Sequence, residues 1–196
     1  MKNKKTWLLI AALVVLIAGA SVLYSTFGKD AAPDQLATTE DTKKDSDQQE
    51  SADEKEEPTQ VPDFTVYDID GNKAKLSDFF GKPIILNFWA SWCGPCQSEM
   101  PDFDKAYQEL GDEIAFLMVN MTDGSRETVE TASGFIQNQG YSFPVFYDTD
   151  QDAATTYGAY SLPTTYFIDE EGYGIARATG AIDEETLQKG IDMIYP

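Results

Sequence analysis

The sequence predicts a three-layer α/β domain with a central mixed β-sheet over residues 61–196. Three observations carry this expectation. Residues 83–90 and 113–120 are predominantly apolar runs with the length of strands buried on both faces. Segments of helical periodicity separate and follow these runs. Near the end, residues 164–168 and 173–177 read as an antiparallel hairpin, and an amphipathic helix closes the chain.

Each element has a local reason. Val61-Pro62-Asp63-Phe64-Thr65-Val66-Tyr67 alternates as a short edge strand, and Asp70-Gly71 then signals a turn. Leu76-Ser77-Asp78-Phe79-Phe80-Gly81 predicts one helical turn ended by glycine. The first buried strand follows at 83–90. A helix is expected over 97–110, where Met100, Phe103, Tyr107 and Leu110 repeat at 3-4-3 spacing, with a kink at Pro101. The second buried strand, 113–120, precedes a helix over 127–138 that Gly140 ends. A short strand at 143–147 and a short helix at 152–157, stopped by Gly158, lead to the hairpin, which turns at Glu171-Gly172. The last helix spans 184–194, with Asp183 as its cap.

Charge divides the 196 residues into three zones. Residues 1–29 carry four lysines and no acid, and Thr6 to Gly28 is uncharged and mostly apolar. Roughly 20 apolar residues span a bilayer as a helix. The lysines ahead of the span place the N-terminus in the cytoplasm and the remainder outside. Ala18-Gly19-Ala20 also fits a cleavage pattern, so a signal peptide is the alternative. Apolarity continues past that point through Val22, Leu23 and Tyr24, which favours an uncleaved anchor. Both readings export the rest of the chain, and no cysteine near the segment could carry a lipid. Residues 30–60 hold eleven acids, three lysines and no aromatic residue. Such a segment buries too little surface to offset its ordering entropy, and a disordered acidic linker is expected. The domain, residues 61–196, holds 23 acids, seven bases, 21 of the 24 aromatic residues and both cysteines.

The composition excludes several chemistries. A formal charge of -20 argues against nucleic-acid binding, which needs clustered Lys and Arg. Without histidine there is no Ser-His-Asp or Cys-His catalysis. Two cysteines cannot build a multi-bridge scaffold, and a zinc site would lack two ligands. No metal and no cofactor are expected.

Both cysteines fall in Cys93-Gly94-Pro95-Cys96, between a buried strand and a helix. That placement puts Cys93 at a helix N-terminus, where the dipole and unpaired N–H groups stabilise a thiolate. The thiolate is the nucleophile of thiol–disulfide exchange, and Cys96, one turn on, can resolve the mixed disulfide. Pro95 suits the first helical turn. A purely structural bridge would close a loop too short to stabilise much. Gln97 after Cys96 excludes the Cys-x-x-Cys-His pattern of haem attachment. Leu86 and Ala90 stand where a peroxiredoxin pattern has Pro and Thr.

The segment Phe88-Trp89-Ala90-Ser91-Trp92-Cys93-Gly94-Pro95-Cys96 resembles the active site of the thioredoxin superfamily. Val61-Pro62-Asp63-Phe64, Leu76 to Pro83, Glu99-Met100-Pro101 and Leu162-Pro163-Thr164-Thr165 are similar to the membrane-tethered, extracytoplasmic ResA/TlpA-like reductases. The resemblance covers residues 61–196 and implies a thioredoxin-like fold. It implies that Pro163 is cis and faces the cysteines, presenting backbone groups of Leu162 to an extended substrate, with Leu162, Pro163 and Thr164 as the substrate-binding segment. Trp92 would form part of the docking surface, and Trp89 belongs to the core. Two departures concern the proton on Cys96. Asn87 stands where thioredoxins carry a buried Asp, and Gly94 stands where the best-studied ResA type carries Glu. Glu99 is the candidate acceptor; the alternative reading is a solvated helix glutamate, with water taking the proton instead.

The resemblance further implies a disulfide reductase of the bacterial cell membrane, single-pass, with its domain outside the cytoplasm. Its acceptor would be a disulfide-bearing protein such as apocytochrome c, and its donor a membrane thiol protein of the CcdA/DsbD type. A monomer is expected. Recycling of methionine sulfoxide reductase and a non-catalytic binding module are the alternatives.

Overall fold

The computed structural model describes residues 36–38 and 59–196. The expected membrane segment, and the acidic linker apart from residues 36–38 and 59–60, lie outside them. Among the described residues no helix is long and apolar enough to cross a membrane.

In chain order the elements are β1 (Leu36–Thr38), β2 (Thr65–Tyr67), β3 (Lys73–Lys75), a 3-10 turn (Leu76–Phe79), β4 (Ile84–Trp89), α1 (Gly94–Leu110), β5 (Ala115–Asn120), α2 (Val129–Gln139), β6 (Val145–Tyr147), α3 (Asp152–Tyr157), β7 (Thr164–Ile168), β8 (Gly174–Thr179) and α4 (Glu184–Ile194). The strands form one mixed sheet in the order β1-β8-β7-β4-β5-β6-β2-β3. The pairs β4–β5 and β5–β6 are parallel, and the other pairings are antiparallel.

Alternation along β4 builds both sides of the core. Ile85 and Trp89 face α1, α2 and α4, where Met100, Phe103, Leu187 and Ile191 are buried. Ile84, Leu86 and Phe88 face the opposite side, with Phe64, Leu76 and Ala153. All six residues of β4 are buried, so the strand that leads into the cysteines runs through the middle of the molecule.

Several expectations change in detail. The strand expected from Val61 begins only at Thr65, because Asp63 is occupied as a local acceptor. Its carboxylate takes the N–H of Phe64 and both the N–H and the hydroxyl of Ser77. This strand is not the sheet edge, because β3 pairs outside it. Helix α1 starts three residues earlier than its apolar periodicity and continues through Pro101. Helix α2 starts at Val129 rather than Glu127, because Thr128 caps it in a reciprocal pair with Thr131.

Leu36-Ala37-Thr38 corrects the expectation of a linker without structure throughout. It pairs with β8 in the register Leu36↔Ala178, Ala37↔Arg177 and Thr38↔Ala176. The outer edge of β8 would otherwise present unpaired backbone groups. Leu36 also packs partly buried against the core.

Gly190 lets α4 approach the sheet closely. A Cβ added there would collide with the ring of Phe167, itself fully buried on β7. Gly190→Ala would gain about 1 kcal/mol in helix propensity. Overpacking against a ring with no free space costs about 1–3 kcal/mol, and more when nothing can yield. The variant should therefore melt several degrees lower than the parent in a thermal scan. An equal or higher Tm would show that α4 can shift freely.

Candidate active site

The cysteines sit where central strand β4 hands over to α1. Cys93 is the N-cap of α1, in extended conformation, and its Sγ accepts the N–H of Cys96 at 3.2 Å. The loop before it is closed by Cys93 N–H to Ala90 O at 3.1 Å, and Gln97 N–H donates to Cys93 O at 3.0 Å. The two cysteines form a disulfide with Cα atoms 5.3 Å apart, so this is the oxidised protein. Their accessibilities differ in the sense that exchange requires. Cys93 retains 5% exposure at the surface, while Cys96 has none. No acid stands in the first turn of α1, so none on that turn opposes the pull of the helix N-terminus on negative charge at the Cys93 sulfur.

Cys93 opens onto a cleft of about 580 Å³. Trp92, Met121, Tyr160 and Leu162 supply its apolar lining, and Asp123 and Arg126 its charges. Trp92 is 42% exposed and carries the Arg126 guanidinium 3.5 Å from its ring centroid. Trp89 is fully buried, as expected of a core residue.

The Leu162–Pro163 peptide is cis. Leu162 lines the same cleft as Cys93, and Pro163 is buried with its carbonyl accepting Gly180 N–H at 2.9 Å. Thr164 differs from the expectation of substrate contact through this segment. It is fully buried at the start of β7, paired with Phe88, and its hydroxyl donates to Ser161 O at 2.7 Å. Its side chain shapes the Ser161–Pro163 loop from within.

Glu99 points inward. It is 2% exposed and lies three residues after Cys96, so both occupy the buried side of α1. Its Oε1 accepts Asn87 Nδ2 at 2.8 Å, and its Oε2 accepts the N–H of Ile182 at 3.0 Å. Burial pushes its carboxyl up to about 7; the two hydrogen bonds oppose this, and nearby Asp102 adds to it. The reading as a solvated helix glutamate does not hold. Asn87 sits on β4 and also donates to Thr165 Oγ1 at 3.0 Å, while its own Oδ1 is buried without a partner. The site therefore contains a protected sulfur, a buried carboxyl that titrates near neutrality, and a spare acceptor on the adjoining strand.

Sequence reasoning did not single out Met121, Asp123, Arg126, Glu127 or Tyr160. All but Glu127 line the cleft, and Glu127 is a fully buried carboxylate bonded to the loop before Cys93. These residues come from distant loops, and no local spacing links them to the cysteines.

The chain matches the AhpC/TSA family over residues 58–173. It is 36% identical over 140 residues to the thiol-disulfide oxidoreductase ResA of Bacillus thuringiensis subsp. konkukian, covering 70% of this chain and 78% of that one. It is 33% identical over 138 residues to the thioredoxin-like protein YneN of Bacillus subtilis, covering 70% and 80%. Among solved structures, StoA from Bacillus subtilis superimposes with a TM-score of 0.58 at 26% identity, covering 68% and 98% of the two chains. The exposed lipoprotein thioredoxin Etrx1 of Streptococcus pneumoniae gives 0.57 at 34% identity, covering 67% and 98%. A cleft-facing cysteine backed by a buried one, on this fold and with these relatives, makes the chain a member of the AhpC/TSA family and a thioredoxin-like thiol-disulfide oxidoreductase.

Proposed function

We propose that the enzyme works as a reductase of protein disulfides outside the cytoplasm, tethered to the bacterial membrane by residues 1–29. Apocytochrome c is the proposed acceptor, and a membrane thiol protein of the CcdA/DsbD type the proposed donor. The observation that carries the reductive reading is the pairing of a surface-facing Cys93 with a buried Cys96 beside a buried carboxyl. The Gly94-Pro95 dipeptide adds support, since it brings no cation between the cysteines to over-stabilise a thiolate.

In the reduced enzyme, Cys93 thiolate attacks one sulfur of the substrate disulfide. A bond forms between Cys93 Sγ and that sulfur, and the other substrate sulfur leaves as a thiolate and takes up a proton. Cys96 must then lose its proton within the interior. Glu99, one turn along the same buried side of α1, accepts it in its ionised form. Cys96 thiolate attacks Cys93 Sγ, closes the Cys93–Cys96 disulfide and releases the second substrate thiol. Two electrons pass to the substrate, and the donor dithiol restores them. Leu162 lines the cleft with Cys93 and offers backbone to an extended substrate segment, and Trp92 contributes apolar surface to the same cleft.

Reduction of insulin disulfides, driven by dithiothreitol, should be lost in Cys93→Ser. Cys96→Ser should retain the first attack and accumulate a mixed disulfide whose partner can be identified from cells. Capture of apocytochrome c supports the proposed acceptor, and consistent capture of a methionine sulfoxide reductase would replace it. Retention of insulin reduction in Cys93→Ser would exclude the mechanism altogether.

Glu99 gives two pH signatures. The resolving step needs the carboxylate, so its rate should rise with pH through about 7. Glu99→Gln should abolish that rise, which single-turnover release of a mixed disulfide would reveal. Stability runs the other way. The unfolded carboxyl releases its proton near the ordinary value of 4.5 and the folded one only near 7, so the folded state holds more protons in between. Stability contributed at low pH is therefore lost as pH rises through that window, by on the order of 3 kcal/mol. Denaturant titrations of the oxidised protein should show this loss in the parent and lack it in Glu99→Gln. Parallel pH profiles for the two would contradict it.

A further inference from the structure

Glu127 has no part in the exchange chemistry, yet it is fully buried. Its Oε1 accepts the N–H of Ser91 at 2.8 Å and Asn120 Nδ2 at 2.7 Å. Its Oε2 accepts the hydroxyl of Ser91 at 2.7 Å. Ser91 lies two residues before Cys93, and Asn120 is the last residue of β5. The carboxylate thus bridges the chain leaving β4 to the end of the neighbouring parallel strand, at the edge where α1 begins.

The clamp is itself held in place. Thr122 Oγ1 donates to Asn120 Oδ1 at 2.7 Å, which turns the amide nitrogen of Asn120 towards Glu127. Asp123 Oδ1 accepts the N–H groups of Ser125 at 2.7 Å and of Glu127 at 2.9 Å. Gly124 N–H donates to Glu127 O at 3.0 Å. The residue before Glu127 is Arg126, whose guanidinium stacks on Trp92. Two consecutive residues of one loop therefore grip two consecutive residues of the other: Glu127 holds Ser91 and Arg126 holds Trp92.

A carboxylate suits this task because it only accepts, and here it takes a backbone N–H, a hydroxyl and an amide together. Burying it carries a desolvation cost that an apolar residue would avoid. The pattern of partners indicates where the benefit lies, because two of the three donors belong to Ser91 on the approach to Cys93 and the third, from Asn120, ties that approach to the end of β5.

We propose that Glu127 is a positioning residue for disulfide exchange, fixing Ser91-Trp92-Cys93 so that the Cys93 sulfur and the Trp92 ring meet a substrate segment docked in the cleft that Leu162 also lines. The proposal rests on the disulfide-exchange reading of the cleft. Attack on a disulfide requires the incoming sulfur to lie in line with the bond that breaks. A loop released from Glu127 keeps its thiolate but loses that alignment.

The test uses the full-length chain, reduced with dithiothreitol and then freed of it, as the parent and as Glu127→Ala, Glu127→Gln and Ser91→Ala. Each is mixed in stopped flow with a peptide bearing an internal disulfide, and separately with iodoacetamide, which needs only the thiolate. Glu127→Ala should slow the peptide reaction about tenfold or more while alkylation stays within roughly threefold of the parent. Glu127→Gln should recover most of the peptide rate. Its amide oxygen can still accept from Ser91 N–H and Asn120, and its nitrogen can donate to Ser91 Oγ. Ser91→Ala should lose several-fold on the peptide with alkylation unchanged, and it carries the test if Glu127→Ala does not fold. Peptide rates equal to the parent in the variants that fold overturn the proposal. Equal losses on peptide and iodoacetamide overturn it as well, as does a Glu127→Gln no faster than Glu127→Ala. A parent chain that fails to reduce the peptide overturns the exchange reading and this proposal with it.

Discussion

The hydrogen bond from Asn87 to Glu99, 2.8 Å long and without solvent access, joins the central strand to the helix that carries both cysteines. The second oxygen of Glu99 holds the backbone of Ile182, just before α4. One carboxyl therefore ties β4, α1 and the approach to the closing helix. It does so from a place where ionisation is costly, and its two donors only partly offset that cost. An acid kept in such a position near neutral pH can exchange a proton with a buried neighbour, and the buried neighbour one turn back is Cys96.

The rest of the site follows from separating two sulfurs by three residues on one helix. The helix N-terminus favours negative charge on Cys93, which faces the cleft. Cys96 lies in the core, where a thiolate is disfavoured unless its proton has somewhere to go. Trp92, Met121 and Leu162 give the cleft its apolar lining, and Leu162, which precedes the cis peptide bond to Pro163, lines it together with Cys93. On the other flank, the loop carrying Arg126 and Glu127 braces Trp92 and Ser91.

Much of this was legible in the sequence. The apolar runs located β4 and β5, and Gly158 and Asp183 marked the limits of α3 and α4. The fold and the cysteine pair followed from those runs and the motif. The polar Lys73-Ala74-Lys75 strand escaped notice because an edge strand needs no apolar pattern. Leu36–Thr38 escaped because its pairing depends on an available edge about 140 residues away in sequence, which its own composition does not announce. The inward turn of Glu99 had a signal: it falls within the apolar stripe formed by Cys96, Met100 and Phe103. Glu127 had none, because its partners lie 36 residues back on Ser91 and at the end of β5 on Asn120. Local periodicity reports burial well, and it is silent on which distant loops meet.

The most direct test of the central claim is a titration of the Glu99 side-chain carboxyl by carbon-13 NMR in the oxidised, selectively labelled protein, with Glu99→Gln to assign the resonance. A midpoint near 7 is predicted, since burial outweighs the two hydrogen bonds. A midpoint near 4.5, the ordinary value for an exposed glutamate, would contradict the account and remove Glu99 as the proton acceptor for Cys96.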